Sequence, residues 1–449
     1  MQNDFSKGSI KQNMIRLAVP MTMAQLINVL YNVVDRMYIG RLPEHATLSL
    51  TGMGLSMPII TIIIGFANLF GTGGAPLCSI ARGKGDMEEA EAIMGNAFTM
   101  LLSSGMIIML IGILCKQPLL YLFGASDATY PFANEYLTVY LCGTIFVMIE
   151  LGLNSYINAQ GFARIGMLTV LIGAVANIIL DPVFIFVFHM GIKGAALASV
   201  ISQFLSAVWT LQFLLGRKTL LKITWKSMHC RLKRVTDIVM LGLSGFVMQV
   251  TNSIVTVVCN ATLQGYGGDL YVGVMTIISS IREVIMMPVH GITGSAQPIM
   301  GFNYGAKQYK RVLECVKFMS ILLIGFTCLA WGSIHLFPNV FIGIFSQEDA
   351  LIAATIPSIR IYYFGFCFMA LQFAGQTTFQ SLGKSKQAIF FSIFRKIVIV
   401  VPLTLILPRY MGVNGVFWAE PISNLIGGSA AFFTMLAMVV PEMKRGMNN

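Results

Sequence analysis

The chain has 449 residues, of which 56% are hydrophobic and only 11% charged, with a mean hydropathy of +0.76. Soluble domains carry about 25% charged residues, so this balance excludes an ordinary soluble domain and points to an integral membrane protein. The net charge is +11, but the lysines and arginines cluster in alternate loops, which argues against a nucleic-acid-binding surface.

A helix that crosses the hydrocarbon layer needs about 20 largely apolar residues. Polar interruptions divide the chain into twelve such stretches, near 14–40, 50–80, 92–115, 134–159, 166–189, 191–216, 236–263, 271–301, 313–338, 352–380, 387–408 and 412–440. The first is too long for a signal peptide, holds Asp35 and lacks a small-residue cleavage site, so it reads as an uncleaved span. The fourth carries Asn154, the fifth Asn177, Asp181 and Pro182, and the sixth Ser199. A basic connector, 216–235, separates the sixth from the seventh. Lys7 and Lys11, Arg82 and Lys84, Arg164, the run Arg217 to Arg234, Lys307 to Arg311, Lys384 and Lys386, and Lys444-Arg445 all fall on one side. The opposite loops hold Pro43-Glu44, Asp127, Gly267-Asp269 and Glu348-Asp349. An excess of Lys and Arg marks cytoplasmic loops, so both termini are expected in the cytoplasm and the chain in the cell inner (plasma) membrane. The eight cysteines show no CxxC or zinc spacing and read as free thiols.

The two halves repeat. A shift of about 222 residues aligns Gly71 to Asp86 with Thr293 to Gln308, placing Pro76 on Pro298 and Gly83 on Gly305. Similar shifts pair Gln160 with Gln380, Pro182 with Pro402, and Met190 to Ser199 with Met411 to Glu420. The expected fold is therefore all-α and membrane-embedded, with twelve transmembrane helices in two pseudo-two-fold-related six-helix bundles around a central cleft. The expected divisions are an N-terminal lobe 1–215, the connector 216–235 and a C-terminal lobe 236–449. The duplication fails at the polar positions. Asp35 falls on Cys259, Asn177 on Ile397, Asp181 on Val401 and Ser199 on Glu420, so the acidic set belongs to one lobe.

A carboxylate at membrane depth costs at least ~2.5 kcal/mol and usually lines a polar pathway. Counted from the loops at about 1.5 Å per residue, Asp35, Asp181 and Ser199 lie at a common depth, roughly 10 to 15 Å below the outer ends of their helices. Asn177 is one turn from Asp181 on the same face, and Asn154 is expected within long-side-chain reach. Pro182 frees the Ile178 carbonyl beside them. Carboxylates, amide oxygens and a hydroxyl suit a proton or a small hard cation such as sodium, and the sequence does not separate the two. No other metal and no cofactor is expected.

The run NIILDPVFIF from Asn177 to Phe186, followed by GIKGAALAS, resembles the fifth and sixth helices of the multidrug and toxic compound extrusion (MATE) family. The run NVVDRMYIG around Asp35 resembles its first helix, and LFGAS at Leu122 and AQGFAR at Ala159 extend the likeness along nearly the whole chain. The resemblance implies a two-lobed exporter that exchanges protons or sodium for amphiphilic, often cationic drugs or metabolites. It carries the cation-site role onto Asp35, Asn177 and Asp181, completed by Asn154 and by Ser199, which stands where threonine is common. The carboxylates that another branch has in the seventh and tenth helices are replaced here by Gln249, Asn252 and Met369, placing the chain nearer the DinF-like and MepA-like branches. Gln25, Tyr31, Met53, Met57, Gln249 and Met286 are the candidate substrate contacts.

Glu283 beside Arg282 reads as a locally neutralised pair, and Glu420 with Arg395 as a packing pair or cleft lining. No GxSxG, HExxH or complete phosphate loop occurs, so the expected protein is a monomeric transporter and not an enzyme. The alternative is a flippase for a lipid-linked saccharide. It would need several basic residues within the spans, and the sequence shows few.

Overall fold

The structure, a computed structural model, describes residues 4–42, 45–345 and 348–448. Pro43-Glu44, expected in an outer acidic loop, lie outside the described residues. Two compact units emerge, one of Val19–Gly242 and the other of Asp4–Ala18 with 243–448. This division differs from the expected one at two places: the N-terminal segment packs in the second unit, and the connector packs in the first.

Seven helices build the first unit: α1 (Ile10–Ile39, from Val19 onward), α2 (Ala46–Gly83), α3 (Met87–Leu122), α4 (Tyr130–Cys142), α5 (Thr144–Ala159), α6 (Ala163–Pro182) and α7 (Gly191–Leu215). The fourth apolar stretch is a bent span, α4 and α5 meeting at 56° around Gly143. Helix α2 is the strut, packed against α3, α4 and α5. Gly73 and Gly74 lie within its unbroken helix. A Cβ on Gly73 would stand 2.3 Å from the Ile238 carbonyl oxygen, and one on Gly74 would stand 1.7 Å from the Tyr156 hydroxyl. This glycine stretch is where neighbouring elements close onto α2. Helix α3 starts at Asp86, whose carboxylate accepts the Glu89 N–H at 2.9 Å, a side-chain cap reinforced by acids in the first turn. Helix α6 ends at Pro182, which lacks an N–H, and the chain passes into a π-helical stretch, Val183–Val187.

Helix α8 runs from Leu232 to Gly305. Its 74 residues would reach about 110 Å as one straight rod, far beyond a hydrocarbon layer of ~30 Å. Gly268 resolves this with φ 66° and ψ −165°, backbone angles that glycine adopts without steric cost, so the helix is two spans. Among the described residues nine helices are long and apolar enough to cross a membrane. Counting the bent pairs gives eleven, and the break at Gly268 gives the twelfth. The second unit continues with α9 (Tyr309–Leu336), α10 (Pro338–Gly343), and the bent pair α11 (Asp349–Tyr363) and α12 (Phe366–Ser381), at 45°. Then come α13 (Ser385–Ile393), a π-helical stretch Phe394–Val400, α14 (Val401–Ile406), α15 (Pro408–Met411), α16 (Val413–Ser423), a second π-helical stretch Asn424–Gly428, and α17 (Ser429–Asn448). A bent pair in each unit, and π-helix beside each of the paired prolines Pro182 and Pro402, repeat the internal duplication in three dimensions.

Side chains explain the two differences in division. Arg311 donates to the carbonyls of Phe5 and Gly8, each at 2.9 Å, and Asn303 donates to Phe5 at 3.2 Å, fixing the N-terminal segment on the second unit. The connector is held on the first. Buried Asn96 donates to the Ser227 and His229 carbonyls and accepts the Arg231 N–H, all at 3.0 Å. Gln160 accepts the Leu220 and Leu221 N–H groups and the Thr219 hydroxyl. Replacing Asn96 with leucine strands these backbone groups at about 1–3 kcal/mol for each one left unsatisfied. Trypsin cleavage at Lys226 and Arg231, followed by mass spectrometry, is expected to accelerate about tenfold or more; unchanged cleavage would show that the ion pairs Lys226–Glu88 and Arg234–Glu89 alone hold the connector.

Candidate cation site and a buried basic cluster

Four of the five residues expected at a cation site do meet, in the first unit. Asp35 is on α1, Asn177 and Asp181 are one turn apart on α6, and Ser199 is on α7. All four are buried, Asp181 completely. The Asn177 amide donates to Asp181 Oδ1 at 3.2 Å and to Ser199 Oγ at 3.3 Å. Asp35 and Asp181 are close enough for their carboxyl groups to interact electrostatically. Three oxygens of the set, Asp35 Oδ1, Asp181 Oδ2 and Asn177 Oδ1, receive no hydrogen bond from the protein. A dense group of buried oxygens with spare acceptor capacity is chemistry for a proton or a hard cation.

Asn154 does not join them. Its amide donates to the Gly166 carbonyl at 3.3 Å, eleven residues and about 16 Å along α6 from Asn177. The depth count placed it at a compatible level along the membrane normal, but its side chain faces the opposite end of α6.

The structure adds residues that sequence reasoning missed. Tyr136 on α4 is buried within electrostatic reach of both carboxyls. It stacks on Tyr140, ring centroids 6.1 Å apart, and the Tyr140 hydroxyl accepts from Gln203 of α7 at 3.2 Å. Tyr31, a candidate substrate contact, is half-buried one turn before Asp35, and Glu150 of α5 is within electrostatic reach of Tyr31 and Tyr140. The signal available in the sequence was a polar pair at i and i+4 on each helix: Tyr31 and Asp35, Tyr136 and Tyr140, Asn177 and Asp181, Ser199 and Gln203. Among the other proposed substrate contacts, Met53 and Met286 are buried within their units, Met57 is half-buried, and Gln25 and Gln249 are exposed.

The second unit holds a different cluster. Glu420 on α16 accepts from Arg395 at 3.1 Å and from Lys396 at 3.4 Å, and Arg282 of α8 approaches it at 3.9 Å. Arg395 also donates to Asn424 Oδ1 at 2.5 Å, and Arg282 to the Tyr362 hydroxyl at 2.9 Å. Arg395 and Lys396 are consecutive residues of the π-helical stretch Phe394–Val400, and their long side chains both reach one carboxylate. Gly427, in the second π-helical stretch, makes room: a Cβ there would lie 2.8 Å from Arg395 Cγ. Two expectations change. Arg282 pairs with Tyr362 and Glu420 rather than with Glu283, which is exposed. Basic residues do lie within the spans, three of them around one acid.

With this geometry in hand, the comparisons with known proteins fall into place. The MatE family profile matches residues 20–183 and again 245–406, once in each half of the duplication. The multidrug export protein MepA of Staphylococcus saprophyticus is 25% identical over 431 residues, covering 95% of this chain and 94% of that protein. MepA of Staphylococcus aureus is 24% identical over 438 residues with the same coverage. Among solved structures, a MATE in the bent conformation superposes with a TM-score of 0.92 at 23% identity over 98% of both chains. The outward-facing form of a multidrug resistance MATE family transporter of the MOP superfamily gives 0.91 at 22% identity over 99% of both. The chain belongs to the MatE family, whose members are membrane transporters and not enzymes.

Proposed function

We propose that the protein is a cation-coupled multidrug efflux antiporter that exports amphiphilic, often cationic compounds across the cell inner membrane, with both termini cytoplasmic. The observation that carries this reading is the burial of two neighbouring carboxyls, Asp35 and Asp181, with Asn177 bonded to Asp181 and to Ser199. Two carboxylates this close cannot both hold full charge without compensation, and a shared proton or a bridging sodium supplies it. The export relatives named above support the substrate class. Cation loading at Asp35 and Asp181 favours one conformation and substrate binding the other, so the gradient acts through the difference in affinity. An inward step of one charge through 100 mV supplies about 2.3 kcal/mol. In this scheme Ser199 and Asn177 orient the carboxyls, Asn154 acts elsewhere, and Tyr31, Met57, Gln25 and Gln249 are the candidate drug contacts.

A flippase for a lipid-linked saccharide is the second reading. Arg282, Arg395 and Lys396 favour it, since a diphosphate needs several cations.

Ethidium efflux in sealed vesicles, with sodium and pH gradients imposed separately, tests the coupling and identifies the ion. Asp35→Asn and Asp181→Asn are each expected to lower gradient-driven efflux at least about tenfold, near 1.4 kcal/mol. Undiminished export in both variants would overturn the assignment. Ser199→Ala removes a hydroxyl worth about 0.5–1.5 kcal/mol and is expected to weaken the dependence on the coupling ion by roughly threefold to tenfold. Ser199→Thr, which keeps the hydroxyl, is expected to behave as the native protein in the same assay.

A further inference from the structure

The duplication aligns Ser199 with Glu420 and Asn177 with Ile397, so the basic cluster occupies the second unit's counterpart of the acidic site. Its polarity is reversed. The first unit has surplus acceptors, with three buried oxygens lacking donors. In the second, Arg282, Arg395 and Lys396 surround a single carboxylate, an excess of two positive charges when all are ionised. Asn424, fully buried beside them, has its amide oxygen on Arg395 while its Nδ2 donors meet no acceptor. Buried charge and buried donors without partners are costly, and a fold tolerates them where something else completes them. Besides Glu420, the acceptors here are the Tyr362 hydroxyl and the Asn424 amide oxygen, and both are already taken, by Arg282 and Arg395. What is missing is negative charge with acceptor oxygens.

We propose that Arg282, Lys396, Arg395 and Asn424 form a binding site for the anionic head of an amphiphile, a carboxylate or a phosphate, with Glu420 as the internal acid that occupies part of the site in its absence. Arg282 is the entry side, its side chain 25% exposed against 3% for Lys396 and 7% for Arg395. Guanidinium groups match the two oxygens of such a head, and Lys396 adds a point charge. Anion binding itself requires only the fold. The further step, that the bound head belongs to an exported compound and widens the substrate range to acids and zwitterions, rests on the efflux reading.

Purified protein in lipid nanodiscs is titrated with fluorescein, a carboxylate dye, by anisotropy, and separately examined by native mass spectrometry with phosphatidic acid against phosphatidylcholine. The first arm reports a free anion and the second a lipid head. Saturable binding in either arm is expected, weakened about tenfold or more by Arg282→Gln and by Lys396→Met, and largely retained by Lys396→Arg. Glu420→Gln removes the competitor and is expected to bind the anion about tenfold more tightly, with a Tm that rises more steeply on adding it than the native protein's. A merely structural ion cluster would give the opposite, a destabilised variant indifferent to anions. Asp35→Asn is expected to bind fluorescein as the native protein does while losing gradient-driven efflux, which separates this proposal from the coupling assignment. Absence of saturable binding in both arms, or binding unaffected by Arg282→Gln and Lys396→Met, would overturn it.

Discussion

An ionised side chain within a hydrocarbon layer is stable only when another charge, a hydrogen-bond network or water answers it, because the solvent there offers neither dipoles nor ions. In this protein that constraint decides where the sequence is irregular. The first unit gathers two carboxylates on α1 and α6 and answers them only in part, with the Asn177 amide, which donates to Asp181 and to the Ser199 hydroxyl. The second gathers three cations around Glu420. Each unit is thus left with an incomplete electrostatic account of opposite sign, built at positions related by the duplication.

The backbone prepares both places. Pro182 interrupts the hydrogen-bond ladder one residue after Asp181, and the π-helical turn that follows absorbs the interruption. In the second unit a π-helical turn precedes Pro402 instead, and it carries two consecutive basic residues that reach the same carboxylate. One ancestral helix pair, punctuated on different sides of the same proline, presents acids in one copy and bases in the other.

The broad plan was legible because hydropathy and loop charge report it directly. Twelve apolar stretches, the bent fourth and tenth spans included, correspond to helices in the structure, and Asp35 and Asp181 stood out because an acid in an apolar run has no bland explanation. Tyr136, Tyr140 and Gln203 were missed, since a tyrosine or an amide in a span is unremarkable until its i and i+4 partner is considered. Asn154 was misplaced because counting residues gives depth along an axis and says nothing of the direction in which a side chain points. Lys396 went unnoticed for a related reason: helical geometry turns it about 100° away from Arg395, and only the reach of the two long side chains brings both to Glu420. The place of the N-terminal segment in the second unit was equally hidden, because Arg311 captures carbonyls of Phe5 and Gly8 through contacts some 300 residues apart in sequence.

The stretch Phe394–Val400 has a consequence for how such proteins diverge. A π turn is an α turn with one residue inserted, so deleting a single amino acid there would restore regular helix and rotate everything beyond it by about 100°. The placement of Arg395 and Lys396 against the Glu420 carboxylate would change with it. Helix length in this short segment, as much as residue identity, therefore sets how the two bases meet their acid, and a gap of one in an alignment there marks a change in that geometry.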